Sequence, residues 1–257
     1  MDYNKIEIYL RQTNHNKISN TRPHWFNYEK TFVNLLNTIN YNLASLTIVF
    51  DGELKGHFTE KYVDKFPFRI VRIDTSSFIG ETYEKNCGSS KSGALTAFAI
   101  KNDNLSEKSL IYINDNDYLH LPYFCEHALD LINTLEDQNV YISLYDHLDK
   151  HIFNKNTDDH WGMYKNLTSK IILSNARHYR YVPNITSAWV IPKNLFDRDF
   201  SALSIGISDN THCFNINKEY NTKFLSPIPT LSTHCQLPFL APLVDWEKLQ
   251  NSYNVAA

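Results

Sequence analysis

The chain of 257 residues lacks the features that would assign it to several protein classes at once. It has no block rich in lysine or arginine, and its net charge is −3. This excludes a broad nucleic-acid surface, because such a surface needs a basic face. No apolar run approaches the roughly 20 residues that span a bilayer. The N-terminal "MDYNKIEIYL" has no charged stretch followed by an apolar one, so no signal peptide is predicted.

The sequence also lacks paired cysteines, since no C-x-x-C motif joins its four cysteines: Cys87, Cys125, Cys213 and Cys235. This spacing favours reduced thiols, and without a signal peptide we expect a cytoplasmic protein. Internal repeats, low-complexity segments and Gly/Ser-rich linkers are absent as well. What is present is an ordinary globular composition, 42% hydrophobic and 21% charged. We therefore expect one domain spanning residues 1–257.

Hydrophobic patterning alternates between strands and helices through the first 150 residues. The predicted strands are apolar on both faces, which is typical of a mainly parallel sheet covered by helices on both sides. The fold class predicted is therefore α/β, with an irregular, proline-rich C-terminal segment, "LSPIPTLSTHCQLPFLAPLVDW". The strands are predicted over 5–11, 46–52, 68–74, 109–115 and 140–146, and the helices over 28–39, 59–65, 93–101 and 122–136.

Polar side chains gather where these predicted strands end. Any strand must end in something polar, so one such position alone indicates little. Five strand ends with the same character indicate more, because parallel sheets bind ligands at the carboxyl ends of their strands. This pattern predicts a binding site at that edge, formed from Arg11, Thr13, Asp51, Gly52, Asp74, Thr75, Asp115, Asp117 and Asp146.

The segment "IYINDNDYLH" carries two aspartates, Asp115 and Asp117, directly after a strand with the pattern of a buried one. Like charges this close repel unless a positive charge lies between them. Carboxylate oxygens suit Mg²⁺, Mn²⁺ or Ca²⁺, so this D-x-D motif predicts a metal site. An EF-hand calcium loop is excluded by Leu119 and His120, which occupy positions that need a ligand and a glycine. The alternative to a metal site is a solvated turn.

The segment "GSSKSGA" at 88–94 resembles the first half of a P-loop. A P-loop would continue with lysine and then serine or threonine, but Ala94 and Leu95 follow instead. We therefore predict a loop of small residues that leads into a helix whose free N–H groups face an anion. The alternative is a plain flexible loop in which a serine caps the helix.

Later residues supply three further candidates. His234 lies in the apolar C-terminal segment, where it is either a packed residue or close enough to reach the metal. His147 and His151 have the spacing of one helix face, which we interpret as solvated. Asp209 precedes a predicted short helix, either as its cap or as a carboxylate for general-base chemistry separate from the metal pair.

With these motifs in place, the chain resembles a GT-A-type glycosyltransferase over essentially its whole length. The resemblance is carried by "RPHWFNYEKTFVNLLNTI", "VFDG", "YINDNDYLHLP", "SLYDHLDKH" and "PIPTLSTHCQLPFLAPLVDW". These segments are similar to the N-terminal glycosyltransferase domain of a large chlorella-virus protein and to its small viral and bacterial relatives. The resemblance implies a GT-A, Rossmann-like fold, with a nucleotide-binding half at about 1–118 and an acceptor-binding half at about 119–257.

The resemblance also implies the ligands and their residues. The donor would be a nucleotide diphosphate sugar, most commonly UDP-linked, with GDP and dTDP as alternatives. Mn²⁺ or Mg²⁺ would lie against its diphosphate, held by Asp115, Asp117 and His234. The nucleotide itself would contact Arg11, Thr13, Asp51, Ser89, Ser92, Gly93, Asp115 and Asn116.

The implied reaction is hexosyl or deoxyhexosyl transfer to a hydroxyl of a glycan acceptor, as in polysaccharide biosynthesis. Asp209 matches the usual place of the catalytic base in inverting members, and Asp146 is the second choice. Ser208 stands where a second acid is typical of such enzymes. One alternative is a sugar-phosphate nucleotidyltransferase, although "LRQTNHNKISNTRP" lacks the glycines of such a phosphate loop. The other is a non-catalytic carbohydrate-binding protein, usually all-β.

Overall fold

The computed structural model describes residues 1–14, 20–80, 88–151, 168–186, 188–206 and 208–255. Within these ranges the chain forms a nine-stranded sheet and a separate two-stranded sheet. The strands in chain order are β1 (Lys5–Thr13), β2 (Ala44–Asp51), β3 (Phe68–Ile73), β4 (Ser109–Asp115), β5 (Tyr118–His120), β6 (Val140–Ser143), β7 (Ile171–Leu173), β8 (His178–Val182), β9 (Trp189–Pro192), β10 (Lys223–Ile228) and β11 (Ser232–His234).

The large sheet has the strand order β3-β2-β1-β4-β9-β6-β10-β8-β7. All of its strands run in one direction except β8 and β9, which are antiparallel to their neighbours. The prediction of a mainly parallel sheet is therefore confirmed. The carboxyl ends of β1, β2 and β4, where the polar residues were expected to gather, consequently lie side by side at one edge. The small sheet consists of β5 and β11, paired antiparallel.

Helices cover both faces of the large sheet, as predicted. One face packs against α1, α3 and α6, and the other against α2, α4 and α5. Each helix contributes its apolar side chains to the core on its own side. No helix in the described ranges is both long and apolar enough to cross a membrane. The helices are α1 (Tyr28–Thr38), α2 (Gly88–Lys101), α3 (Phe124–Thr134), α4 (Lys193–Leu203), α5 (Asp209–Tyr220) and α6 (Trp246–Asn251).

The central strands are held by side chains that alternate between the two cores. In β1, Ile8 enters one core and Tyr9 the other, and in β4 the same is true of Tyr112 and Ile111. Burying one such side chain stabilises a fold by roughly 1.5–3 kcal/mol. Because both strands are anchored on both faces, the residues at their carboxyl ends are carried by a rigid support.

Several predicted boundaries were wrong. The helix expected over 59–65 is a 3₁₀ turn, Phe58–Tyr62. The strand expected over 140–146 ends at Ser143, whose hydroxyl bonds the backbone of Tyr145 and turns the chain away. The C-terminal segment is more regular than predicted, since it contributes β11 and part of β10.

Candidate active site

The first aspartate of the D-x-D motif, Asp115, is paired with an arginine. Asp115 ends β4 and lies opposite Arg11 of β1 in the parallel register. The Arg11 Nε donates to Asp115 Oδ1, and the Arg11 guanidinium also donates to the Ser89 carbonyl at 2.9 Å. Burial disfavours the charged form of Arg11, but Asp115 outweighs it and raises the pKa of the guanidinium. The negative charges of Asp209 and Asp117 raise that pKa further.

The second aspartate, Asp117, has a different set of partners. Its Oδ2 accepts from Arg22 at 2.5 Å and lies 3.1 Å from the His234 Nε2. Its Oδ1 is buried and has no hydrogen-bond partner among the described residues. Burial opposes ionisation of Asp117, but His234 and Arg22 together hold the pKa of its carboxyl well below the ordinary aspartate value. Asp117 is therefore a buried anion with one unused oxygen.

His234 reaches Asp117 because β5 and β11 pair. In this ladder His234 lies opposite Tyr118, the residue after Asp117. The Cys235 N–H donates to the Asp117 carbonyl at 2.8 Å, which continues the pairing of the two segments as far as Asp117. The sequence prediction that the C-terminal segment lies close to the D-x-D motif agrees with this arrangement.

The structure changes the account of the repulsion between Asp115 and Asp117. The sequence suggested that one metal ion lies between them, but each aspartate has its own arginine: Arg11 for Asp115 and Arg22 for Asp117. Within the described ranges, no group of three or more His, Cys, Asp and Glu residues is placed to hold a metal ion.

Two protein donors still suit a divalent cation here. The Oδ1 of Asp117 is an unpartnered oxygen donor, and the His234 Nε2, which lies 3.1 Å from Oδ2 of the same carboxylate, would have to exchange this hydrogen bond for a bond to the metal. Mg²⁺ is commonly held by one or two carboxylates, with phosphate oxygens and water in its other positions. The donor set therefore fits a metal ion completed by a ligand phosphate, and the metal stays a prediction.

A pocket of about 410 Å³ opens beside the motif, and every residue that lines it falls within the predicted nucleotide-binding half. Asp51 lines this pocket and is held by Thr75, whose backbone N–H donates to it at 3.1 Å and whose hydroxyl donates at 2.8 Å. Thr13 is the register neighbour of Asp51. The lining contains Arg11, Gln12, Thr13, Arg22, Tyr28, Asp51, Thr75, Gly88, Ser89, Ser92, Asp115, Asn116 and Asp117.

A second pocket of about 260 Å³ shares Arg11 and Ser89 with the first. Asp209 lies in its lining as the first residue of α5, and the preceding Ser208 caps that helix by accepting from the Thr211 N–H. The cap predicted as one alternative for Asp209 is thus Ser208. The rest of the lining is mostly apolar and comes from both halves of the chain: Ser90, Gly93, Ala94, Ala97, Ile113, Ala188, Trp189, Leu203, Ile205 and His212.

The segment 88–94 is helical and forms the first turns of α2, so the predicted loop was wrong. Gly93 faces Arg11 so closely that a Cβ atom there would lie 3.1 Å from the guanidinium. Gly88, Ser89 and Ser92 line the larger pocket, while Gly93 lines only the smaller one. The close approach of α2 to Arg11 therefore explains Gly93, whereas a Cβ atom on Gly88 would meet no atom within 4 Å.

Asp146 lines neither of these two pockets. It is buried, with Oδ1 accepting from Arg180 at 2.6 Å and Oδ2 lying 2.8 Å from the His151 Nε2. The helix face predicted for the two nearby histidines was wrong, because only a 3₁₀ turn, Leu148–Lys150, lies between them. His147 instead packs against Asp149, with Nδ1 2.8 Å from a carboxylate oxygen. These histidines belong to a buried ionic cluster.

Comparison with known proteins gives distant structural similarity. The chain superposes on residues 1–349 of TarS from S. aureus with a TM-score of 0.49, 10% identity, and coverage of 86% of this chain and 57% of that one. For the UDP complex of the same TarS fragment the TM-score is 0.48 and the identity 13%, with 86% of this chain and 57% of that one covered. For mouse xyloside xylosyltransferase 1 in its apo form the TM-score is 0.44 and the identity 11%, with 87% of this chain and 84% of that one covered. The chain thus spans little more than half of the TarS fragment. No protein-family model and no curated protein matches the sequence. The relationship to a chlorella-virus glycosyltransferase stays a prediction.

Three residues of the larger pocket were missed from the sequence: Gln12, Arg22 and Tyr28. Arg22 donates to the Cys235 carbonyl at 2.8 Å as well as to Asp117, and its guanidinium lies over the rings of Phe26 and Tyr28 at 4.9 and 5.9 Å. The signal available was the segment "RPHWFNY", in which an arginine precedes several aromatic residues. Such a segment offers cation–π contacts, but nothing in it indicates a partner 95 positions away.

Proposed function

We propose that this protein is a GT-A-type glycosyltransferase that moves a sugar from a nucleotide diphosphate sugar to a hydroxyl of a glycan acceptor. The observation that carries the proposal is the pair of adjoining pockets at the carboxyl edge of the sheet, which share Arg11 and Ser89. One pocket contains the D-x-D motif, and the other contains Asp209. Such an edge is where open α/β sheets bind ligands.

We assign the nucleotide to the larger pocket. Asp51 and Thr13 supply acceptor and hydroxyl groups suited to a ribose or base at one side. Ser89 and Ser92 of α2 also line this pocket, as does Asn116, the middle residue of the motif, whose side chain donates to Gln12 at 3.2 Å. The diphosphate would then lie toward Asp117 and Arg22, where the Arg22 guanidinium can donate to phosphate oxygens. UDP is the first nucleotide to test.

We propose that Asp117 and His234 hold the divalent cation, Mn²⁺ or Mg²⁺. When bound, such an ion stabilises the negative charge that develops on a leaving diphosphate. Asp115 is engaged by Arg11, so its role is to fix that arginine between the two pockets. This division differs from the expectation that both aspartates and His234 ligate the metal.

Asp209 is the residue we assign as catalytic base. It lies in the smaller pocket, separate from the metal donors, as a base for the acceptor hydroxyl must be. Removal of that proton would let the oxygen attack the anomeric carbon from the side opposite the diphosphate, with inversion of configuration. Asp146, the second candidate, is committed to Arg180 and His151, and we assign it a structural role.

Calorimetric titration of UDP, with and without Mn²⁺, tests the proposal directly. We expect binding that requires Mn²⁺ in the wild type and is lost in Asp117→Ala. The matched control is Asp137→Ala, which removes an exposed aspartate paired with Lys223 and should bind as the wild type does. GDP and dTDP are titrated in parallel. A folded protein that binds none of the three nucleotides contradicts the proposal.

Product analysis separates the proposal from nucleotidyl transfer. A glycosyltransferase releases a nucleoside diphosphate from its donor, whereas a nucleotidyltransferase exchanges pyrophosphate. The other alternative from the sequence, an all-β carbohydrate-binding protein, does not fit a sheet with helices on both faces.

A further inference from the structure

Arg22 contacts only one of the two carboxylate oxygens of Asp117, Oδ2. Its guanidinium and the His234 imidazole both approach Oδ2, while the buried Oδ1 has no partner in the described part of the chain. Arg22 is also held by the Cys235 carbonyl and by the rings of Phe26 and Tyr28. The guanidinium therefore lies beside the place where a cation would use the two donors of the site.

A divalent cation bound by Asp117 and His234 would be a close neighbour of this guanidinium. Like charges in a partly buried site disfavour each other, because little solvent screens them. With the protein alone, one carboxylate would have to compensate both positive charges, since Asp115 is already paired with Arg11. A metal ion by itself is therefore expected to bind poorly.

A nucleotide diphosphate would change this balance. Arg22 and Tyr28 line the same pocket as Asp117 and Ser89, so a phosphate group in that pocket is within reach of the guanidinium. Arginine binds phosphate oxygens with a geometry as favourable as that for a carboxylate. The phosphate would offer Arg22 a new partner and leave the carboxylate to the metal.

We propose that Arg22 is the counter-ion of Asp117 before nucleotide binds and transfers to the diphosphate when nucleotide and metal bind. Metal and nucleotide then bind with strong positive coupling, and Arg22 is the residue that produces it. By linkage, the nucleotide increases the metal affinity by the same factor as the metal increases the nucleotide affinity. The inference rests on the proposed function, because it needs a diphosphate ligand.

The test is a titration of Mn²⁺ in the absence of nucleotide, followed by the electron paramagnetic resonance signal of free Mn²⁺. Arg22→Met keeps an aliphatic side chain against Phe26 and Tyr28 but removes the charge. We expect this variant to bind Mn²⁺ alone at least about tenfold more tightly than the wild type. With saturating Mn²⁺, it should bind UDP at least about tenfold more weakly.

Two further variants make the comparison specific. Arg72→Met removes another arginine at the same edge of the sheet, one that lies over Phe50 at 5.6 Å, and should leave the Mn²⁺ affinity unchanged. Arg22→Gln retains a donor for the Cys235 carbonyl and is used in place of Arg22→Met if near-UV circular dichroism shows that Arg22→Met is misfolded. Arg22→Gln should also bind Mn²⁺ alone at least about tenfold more tightly than the wild type.

The inference is overturned if a folded Arg22 variant binds Mn²⁺ alone no more tightly than the wild type, including the case in which neither binds it. It is also overturned if UDP leaves the Mn²⁺ affinity of the wild type unchanged. Failure of the proposed function would look different, since the wild type would then bind no nucleoside diphosphate under any condition.

Discussion

The imidazole of His234 lies flat against the ring of Tyr118, with the ring centroids 5.0 Å apart and the two planes within 9° of each other. The β5–β11 pairing places these residues opposite one another. The stack holds the imidazole so that its Nε2 points at Asp117. Orientation of a ligating histidine by its neighbours is a usual requirement of metal sites.

Replacing Tyr118 with leucine should therefore weaken Mn²⁺ binding in the presence of UDP, by about tenfold. The leucine fills space but offers no flat ring to orient the imidazole. Tyr118→Phe keeps the ring and should retain the wild-type affinity. Calorimetry on both variants, after urea denaturation has shown that they are folded, makes the comparison. Equal Mn²⁺ affinity in the leucine and phenylalanine variants would show that the stack does not orient His234.

Asp209→Asn should abolish most turnover while leaving donor binding intact. Loss of a general base lowers kcat by about 10²–10⁴-fold. Because Asp209 lies in the smaller pocket, the affinity for UDP with Mn²⁺ should remain at the wild-type value. Steady-state kinetics with a glycan acceptor and calorimetry with UDP measure the two effects separately. Unchanged kcat would remove Asp209 from the mechanism.

Asp146→Asn serves as the contrasting control. Asp146 is buried between Arg180 and His151, so the substitution leaves Arg180 without its carboxylate partner. Breaking a buried ion pair in this way costs about 3 kcal/mol in the free energy of unfolding. Urea denaturation should show that loss, whereas Asp209→Asn, which removes a charge from the first turn of α5, should cost less than about 1 kcal/mol. A large loss of stability in Asp209→Asn and none in Asp146→Asn would make Asp209 the structural residue and Asp146 the candidate base.

The ion pair between Arg11 and Asp115 should be strongly coupled in a double-mutant cycle. Both side chains are mostly buried, with 12% and 23% exposed. We expect a coupling of about 1–3 kcal/mol in unfolding free energy from Arg11→Met, Asp115→Asn and the double variant. The pair Lys223–Asp137, with 38% and 58% exposed, is the control and should give less than about 1 kcal/mol. Equal coupling for the two pairs would argue against a fixed Arg11.

Stability should fall on acidification because of His120. Burial lowers the pKa of His120 to about 3, so the folded protein keeps it neutral, while the unfolded chain takes up a proton below the ordinary value of 6.5. The contribution to stability is thus fully present above pH 6.5 and is lost progressively as the pH falls toward 3. His212, whose pKa burial lowers to about 4, acts in the same direction.

Urea denaturation at pH 7, 6 and 5 measures this effect. His120→Gln should reduce the fall in unfolding free energy between pH 6 and pH 5 by up to about 1.4 kcal/mol, the value of one proton per pH unit. His24→Gln, which changes a histidine with 83% of its side chain exposed, should leave the pH dependence as it is. A pH dependence that His120→Gln does not alter would place the linked protons elsewhere.

Residues close together in sequence, or repeated along a strand, were predictable. The bounds of β4 followed from an uninterrupted apolar run, and the position of Asp115 and Asp117 at its end followed from those bounds. The mainly parallel sheet followed from strands that are apolar on both faces. In these cases the physical cause is burial on both faces of the sheet, which requires a continuous run of apolar residues that is visible in the sequence.

Residues joined only by tertiary contact were not predictable. Arg22 lies in an irregular segment with no periodicity, and its role depends on Asp117, 95 positions away. The helical conformation of 88–94 opposes the usual preference of glycine, and it is supported by packing that brings Gly93 against Arg11. Asp146 was expected at the end of a strand, but β6 ends at Ser143, and the partner of Asp146, Arg180, belongs to β8.

The distance in sequence between Arg22 and Cys235, 213 positions, has a consequence for how the protein is made. During synthesis the acidic turn leaves the ribosome 117 residues before His234 does. The central strands β1 to β4 can pair long before that, since domains form from the N-terminal side as they emerge. The proposed pair of metal donors is thus completed only when β11 joins β5, and a nascent chain that has not yet reached β11 can have its first strands paired but lacks His234 beside the D-x-D motif.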